Sequence, residues 1–252
     1  MSSAPSLKRV IALLWRSQVS GEERRHPGPR PRLDVDRIVD EAVALADENP
    51  SAGVSMRALA GRLGVTPMTL YGYVPDKGTL LALMYDSIHA EMPRVVGEGI
   101  SGVVDWVEEV VEVYLRHPWA IPVAYGRPIL GPYEQEVFES LAVALRRRDL
   151  DAQTARGLVG TIFHLIRGTA HAISASRQAQ EESGVDERAW WNEASTALAE
   201  VVPDFAERFP GTVWLVAESE TDDGDHDYVA RHSMTNLRTG VRLLLGGAAP
   251  GS

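Results

Sequence analysis

Thr66, Met68, Thr69, Tyr71 and Tyr73 fall within eight consecutive residues, and Lys77 follows closely. Hydroxyls, aromatic rings and a flexible apolar side chain at this density can meet phosphate oxygens, thymine methyl groups and base edges of duplex DNA. Lys77 stands where a new helix should begin, so its ammonium and that helix's free N–H groups can share a phosphate. A second constellation lies a hundred residues on. His164, Arg167 and His171 recur at spacings of three and four, which places them on one helical face. Set among Leu158, Ile162, Leu165 and Ile166, they can line a polar-tipped pocket or hold an anion. The plainer alternative is that neighbouring carboxylates or a second copy of the chain satisfy them. Two imidazoles two turns apart chelate a metal poorly, so no metal site and no cofactor is expected.

These residues need elements to present them. Ala60 is small, as the closest approach of two helices requires, and Gly64 follows where the chain must bend sharply. Leu59, Leu63, Val65 and Leu70 supply an apolar plug beneath a short second helix, expected over Pro67 to Tyr73. Proline suits its first turn because the missing N–H has no helical partner there. On the exposed side are Thr66, Pro67, Met68, Thr69, Tyr71, Gly72 and Tyr73. Ser55 and Arg57 open the first helix, the end that crosses the DNA backbone in helix-turn-helix docking. Residues 38–46 carry apolar groups at helical spacing, with Asp34 or Asp36 to cap them and Asn49-Pro50 to stop them. The same spacing could describe a helical hairpin inside a bundle. Against that, Tyr71-Gly72-Tyr73-Val74-Pro75-Asp76-Lys77 puts two tyrosines beside a charged, proline-marked turn, which a core helix would not expose.

The segment SMRALAGRLGVTPMTLYGYVPDKGTLL, with RIVDEAVALADENP before it, resembles the tetracycline-repressor family of bacterial transcription regulators. LRHPWAIPVAYGRPILGPYEQEVFESLAVAL is similar to the ligand-binding body of the tetracycline-repressor branch. The resemblance implies an all-α fold, with a three-helix DNA-binding head over residues 34–92 and a ligand-binding and dimerisation bundle over 93–248. It further implies a homodimer that binds double-stranded palindromic operator DNA and lets go when a small-molecule effector binds. By position it assigns Ser55 and Arg57 to backbone contacts, Thr66, Pro67, Met68, Thr69, Tyr71 and Tyr73 to recognition, and Lys77 to a phosphate. Gly72 stands where the family often has a bulky aromatic. For the pocket it brings in Arg127, in the turn Gly126-Arg127-Pro128, and His164, near a magnesium-holding histidine of the tetracycline-binding branch. Val123 replaces the other such histidine, which points to a more apolar organic effector.

Further helices are expected at about 101–116, 132–148, 151–178, 186–200 and 226–245, with residues around 213–217 allowing an extended stretch. Trp106, Tyr114, Trp119, Tyr125, Tyr133 and Phe138 are spread over the segments that would enclose a cavity, and Trp106 and Tyr125 join the ligand-binding candidates. Ser174–Glu187 reads as a loop or helix end. Trp190 and Trp191 beyond it suit either a lid or a plain helix surface. Dimerisation should use the 151–178 helix and the C-terminal one, whose Tyr228, Val229, Leu237, Val241, Leu244 and Leu245 exceed what one side can bury.

The 252 residues carry a net charge of −10, against a protein that coats nucleic acid indiscriminately. The charge is uneven: residues 1–33, a basic arm, hold seven basic side chains against two acids, while 34–92 hold four against nine. Within the arm Leu7–Val19 reads as a short amphipathic helix or an unstructured stretch, and RRHPGPRPR as a linker. The absence of cysteine excludes disulfides and thiolate chemistry and fits a reducing cytoplasm. The apolar run Val10–Trp15 is too short for a membrane span, and no cleavage site follows it. None of the nucleophile-elbow, zincin or phosphate-cradling motifs of enzymes is present. The rival to a regulator is a helical protein-interaction or small-molecule-binding module without DNA binding. Repressor or activator behaviour depends on operator position, which the chain does not encode.

Overall fold

The computed structural model describes residues 7–19, 33–50, 53–96, 99–123, 128–217 and 227–247. Among them the chain is helical with no strand: α1 Leu7–Leu14, α2 Arg16–Val19, α3 Val35–Glu48, α4 Met56–Leu63, α5 Pro67–Tyr73, α6 Lys77–His89, α7 Gly99–Arg116, α8 Pro132–Arg146, α9 Ala152–Ser183, α10 Glu187–Val201, α11 Phe205–Arg208, α12 Pro210–Ala217 and α13 Tyr228–Gly247. A single 3-10 turn, Pro118–Ala120, follows α7.

Local chemistry sets the boundaries. Asp34 caps α3 by accepting the Arg37 N–H at 2.8 Å, and the helix stops at Asn49, ahead of Pro50. Thr66 and Asp76 cap α5 and α6 in the same way. Ser55 takes the cap position of α4, but its hydroxyl makes no capping bond. The stretch 174–183 continues α9 instead of forming a loop, because nothing breaks the helix before Gly184, whose φ of +65° ends it. Residues 210–217 are helical where an extended stretch was allowed.

Ile38, Val39, Ala42 and Ala46 of α3, Leu59 and Ala60 of α4, Leu70 of α5 and Leu80, Leu83 and Met84 of α6 are buried together as the core of the head. Each fully buried leucine contributes about 1.5–3 kcal/mol. Leu63 and Val65, expected in the plug, are half-buried at its edge. The helix α6 serves two sides at once, packing against α3 and also against α8. A further tie joins α3 to the turn after α7: the Trp119 indole donates to Asp47 Oδ1 at 2.8 Å, and His117 Nδ1 lies 2.8 Å from the same oxygen.

The chain divides into two units, residues 1–170 with 237–252 and residues 171–236. The head therefore shares a unit with α7, α8 and the first half of α9, because α6 is at once a helix of the head and a packing partner of α8. Leu237, Val241 and Leu245 of α13 are buried in this unit, and Arg238 holds Glu108 of α7 through two hydrogen bonds. In the second unit the buried Glu187 carboxylate accepts the Ser176 hydroxyl at 3.0 Å and the Val229 N–H at 3.2 Å. No helix among the described residues is long and apolar enough to cross a membrane.

Candidate functional site

The bend between α4 and α5 rests on Gly64, at φ +69°. Its N–H and that of Val65 reach back to the carbonyls of Gly61 and Ala60 at 3.2 and 3.0 Å. Pro67 then starts α5, and Thr66 Oγ accepts the Thr69 N–H at 3.3 Å while the two hydroxyls sit 3.0 Å apart. Beneath the helix Leu70 and Val74 are fully buried, so the opposite face is held outward: Met68 is 77% exposed, Tyr71 41% and Tyr73 37%. Thr69, Gly72, Pro67, Ser55, Arg57 and Lys77 are also exposed. A short, rigidly based helix with an apolar underside thus offers hydroxyl, thioether and phenol groups on one exposed surface, which is the chemistry of base-edge and phosphate contact. At Lys77 the structure adds a carboxylate to the expected picture. Asp76 already accepts the Thr79 N–H at 2.6 Å, so one of the N–H groups at the start of α6 is occupied.

Apart from its own residue and chain neighbours, nothing comes within 4 Å of a Cβ built on Gly64. A Gly64→Ala variant would therefore suffer from its left-handed backbone alone. It should lose about 1–2 kcal/mol of stability in urea denaturation, with a folded spectrum in water. Loss below about 0.3 kcal/mol would mean that the bend tolerates a side chain.

The second constellation opens onto a cavity of about 190 Å3 lined by Tyr85 and His89 of α6, Tyr114 of α7, Pro128 and Ile129, Glu134 and Phe138 of α8, and Phe163, His164 and Arg167 of α9. Phe138 and Phe163 meet at 4.6 Å between ring centroids, and the Tyr85 and Tyr114 hydroxyls are 3.0 Å apart. His89 Nδ1 lies 2.6 Å from the Tyr85 carbonyl, which can only accept, so that nitrogen carries the proton and Nε2 is left as the acceptor. Burial pushes the His89 ring down to about 4, with Arg94 and Arg167 adding to the effect. The imidazole is therefore neutral near pH 7. The cavity is smaller than the roughly 300–1,000 Å3 of a drug-sized site, so an occupant of that size requires the walls to part. An open cleft of about 960 Å3, lined by Trp15, Gln18, Arg94 and the polar side of α8, lies elsewhere in the unit. It lacks the aromatic enclosure of the smaller cavity.

One wall of the cavity is tied to α6 with unusual closeness. The buried Asp86 carboxylate accepts the Glu134 N–H at 2.9 Å, so a side chain of α6 caps the N-terminus of α8. Gly131, the residue in the cap position, has no side chain because a Cβ there would overlap the Asp86 carboxyl. Burial raises Asp86 to about 6, an effect partly offset by the N–H bond from Glu134 and reinforced by the nearby Glu134 carboxylate. Glu134 is itself raised by burial, and it accepts the Leu130 N–H at 2.7 Å.

The structure thus brings His164 and Arg167 to one cavity. Trp106 stands behind the lining: it is buried, packs edge-on against Phe163 and donates its indole N–H to the Pro93 carbonyl. Its large ring serves the core that backs the site. Tyr125 and Arg127 lie outside the described residues. His171 is an exposed residue of the second unit, where Trp190 and Trp191 pack edge-on with ring centroids 4.9 Å apart and Trp191 meets Tyr228. Sequence reasoning passed over Tyr85, Asp86, His89, Glu134 and Phe163. The signal available was Tyr85 and His89, one turn apart among the apolar positions Leu80, Leu81, Leu83, Met84 and Ile88 of α6. Among the described residues no group of three histidines or carboxylates is arranged to hold a metal ion.

Comparison with known proteins bears on both constellations. The profile described as bacterial regulatory proteins, tetR family, matches residues 38–84, and that of the tetracyclin repressor-like C-terminal domain matches residues 107–229. The chain is 31% identical over 231 residues to the HTH-type transcriptional repressor DrrR1 of Streptomyces coeruleorubidus, covering 89% of this chain and 83% of that protein. An HTH-type transcriptional regulator of Saccharopolyspora erythraea is 31% identical over 158 residues, 62% of this chain and 66% of that one. Among solved structures, ActR of Streptomyces coelicolor in complex with actinorhodin superposes with a TM-score of 0.67 at 25% identity, covering 88% of this chain and all of that chain. The ligand-free ActR structure has the same TM-score at 22% identity.

Proposed function

The chain belongs to the tetracycline-repressor family of DNA-binding transcription regulators, and from that premise we propose that it is a homodimeric repressor whose α5 enters the major groove of a palindromic operator and which a small molecule releases. The observation that carries this reading is the outward-held set Met68, Thr69, Tyr71 and Tyr73 over a fully buried Leu70. In the proposed division of labour residues 34–92 read DNA, and residues 93–248 bind the effector and dimerise. Ser55, Arg57 and Lys77 hold the backbone, while Thr66, Pro67, Thr69 and Gly72 shape the approach to the bases. Support for a dimer comes from α13, where Leu243 is 71% exposed while the opposite side of the helix is buried.

The effector site in this reading is the small aromatic cavity, with His164 and Arg167 as its polar end and Tyr125 and Arg127 as further candidates; His171, in the second unit, is not part of it. ActR, which shares the fold, binds actinorhodin, and this supports an organic effector here. An occupant that parts Pro128–Ile129 from α6 would act directly on the helix that positions α5. The switch can be no larger than the effector's preference between the two states. No catalytic step is part of this reading.

Binding of the full chain to DNA from upstream of its own gene, measured by gel shift, tests the proposal. Tyr71→Ala should weaken binding about 10- to 100-fold, the loss of about 1–3 kcal/mol expected for a base-edge contact. Lys77→Ala should weaken binding to all sequences alike and lower the salt slope by about one. Unchanged affinity in both variants would remove α5 from the interface.

A further inference from the structure

The segment ahead of the head is not needed to complete the three-helix motif, yet it is fastened at three points. Leu14 is buried and α1 packs against α6. The Trp15 indole donates to the Leu130 carbonyl at 2.8 Å. Arg16 donates to Asp36 in the first turn of α3 at 2.5 and 3.0 Å, and to the Leu13 carbonyl at 2.8 Å. Leu130 is the telling partner. It holds φ +62°, a left-handed conformation that a leucine rarely adopts because its Cβ crowds the following carbonyl. Its backbone is gripped on both sides, by Trp15 at the carbonyl and by the Glu134 carboxylate at the N–H. Such a conformation persists only where the surrounding contacts over-determine it. Leu130 also sits between Ile129, a wall of the aromatic cavity, and Gly131, which abuts Asp86 of α6.

We propose that residues 7–18 form a strap that couples the cavity wall to the DNA-reading head, with Trp15 holding Leu130 in its strained state and Arg16 holding the start of α3. The two grips are adjacent in sequence and sit on one anchored turn, so loosening either loosens the other. Asp47, bonded to Trp119, fixes the far end of α3. The strap therefore adds a hold on the opposite end of α3, beside the buried Ile38 and Val39. In consequence the segment contributes to operator affinity by orientation, not by touching phosphate. That functional consequence rests on the head being the DNA reader, whereas the mechanical coupling does not.

The test uses the full chain and two variants. Trp15→Phe keeps a ring but loses the indole donor, and Asp36→Asn weakens the other grip. Hydrogen exchange without DNA should show Trp15→Phe speeding amides in the first turn of α3 as well as around 128–131. Asp36→Asn should do the same at both places, and the double variant should exceed neither single by more than about twofold, since coupled grips do not add. Operator affinity of Trp15→Phe should fall three- to tenfold with the salt slope unchanged, because no phosphate contact is removed. Exchange changes confined to 128–131, or additive effects in the double variant, would overturn the strap. A reduced salt slope would overturn the orientation argument by placing the segment on the DNA. If no DNA binds to any form while the exchange couplings hold, the regulator reading fails and the mechanical coupling stands.

Discussion

Replacing Gly131 by alanine is expected to destabilise the chain by about 3 kcal/mol, the upper range for forcing an atom into a packed site. The added Cβ would overlap the Asp86 carboxyl, which is buried and bonded to the start of α8. Either Asp86 leaves the helix end, giving up a charge-assisted cap, or α8 shifts away from α6. Urea denaturation followed by circular dichroism measures the loss. Asp86→Ala removes the obstruction, so the double variant Asp86→Ala/Gly131→Ala should cost clearly less than the sum of its parts. Additive costs, or a Gly131→Ala variant within about 0.5 kcal/mol of the parent, would show that α6 and α8 are not locked at this point.

Asp86→Asn is expected to change how stability depends on pH, because two buried groups one turn apart on α6 oppose each other. Asp86 titrates near 6 in the folded chain against 3.8 unfolded. Its contribution is fully present below pH 3.8 and is lost as pH rises through 6. For His89, near 4 when folded against 6.5 unfolded, the contribution is present above pH 6.5 and lost as pH falls through 4. Each amounts to roughly 3 kcal/mol over its window, and the two nearly cancel between pH 4 and 6. Asparagine keeps an acceptor for the Glu134 N–H but does not titrate. The parent should therefore gain roughly 2 kcal/mol relative to the variant as pH falls from about 6.5 to 4, and the variant should carry the His89 loss uncompensated. Taking the difference between the two proteins cancels the titrations of groups that do not face Asp86, whereas Glu134, whose carboxylate does, is coupled to it. Parallel stability curves would mean that Asp86 titrates no higher in the folded chain than in the unfolded one.

The head was legible in the sequence because each of its elements is signed locally. Asp34, Pro67 and Asp76 mark helix starts, Gly64 the bend, and Leu59 with Leu70 the plug, all within a few residues of what they control. The α5 boundaries follow from Pro67 and the Tyr73-Val74-Pro75 turn. The cavity was only half legible. His164 and Arg167 share a face at a spacing of three, which periodicity reveals. Tyr85, His89 and Glu134 reach the same space from helices far apart in the chain, and no periodicity records that meeting. The Asp86–Gly131 contact has the same character: a glycine at a helix start looks like turn chemistry until the carboxylate that fills its place is seen. Trp106 shows the converse, since an aromatic of the right size near a pocket is as useful behind its lining as on it. The α12 helix was missed because Val213–Ala217 is β-branched and aromatic in part, and such runs carry weak local preference.

Two copies of α5 that read one face of a duplex as a symmetric pair should leave a paired signature on the DNA. A hydroxyl-radical footprint of the full chain on the DNA upstream of its gene tests it most directly. Two protected patches on the same face, with centres about 34–36 Å apart, are the expected result, and at the protein concentration that half-saturates the parent both should be lost with Tyr71→Ala. A single patch, or protection that persists in Tyr71→Ala, would contradict the account.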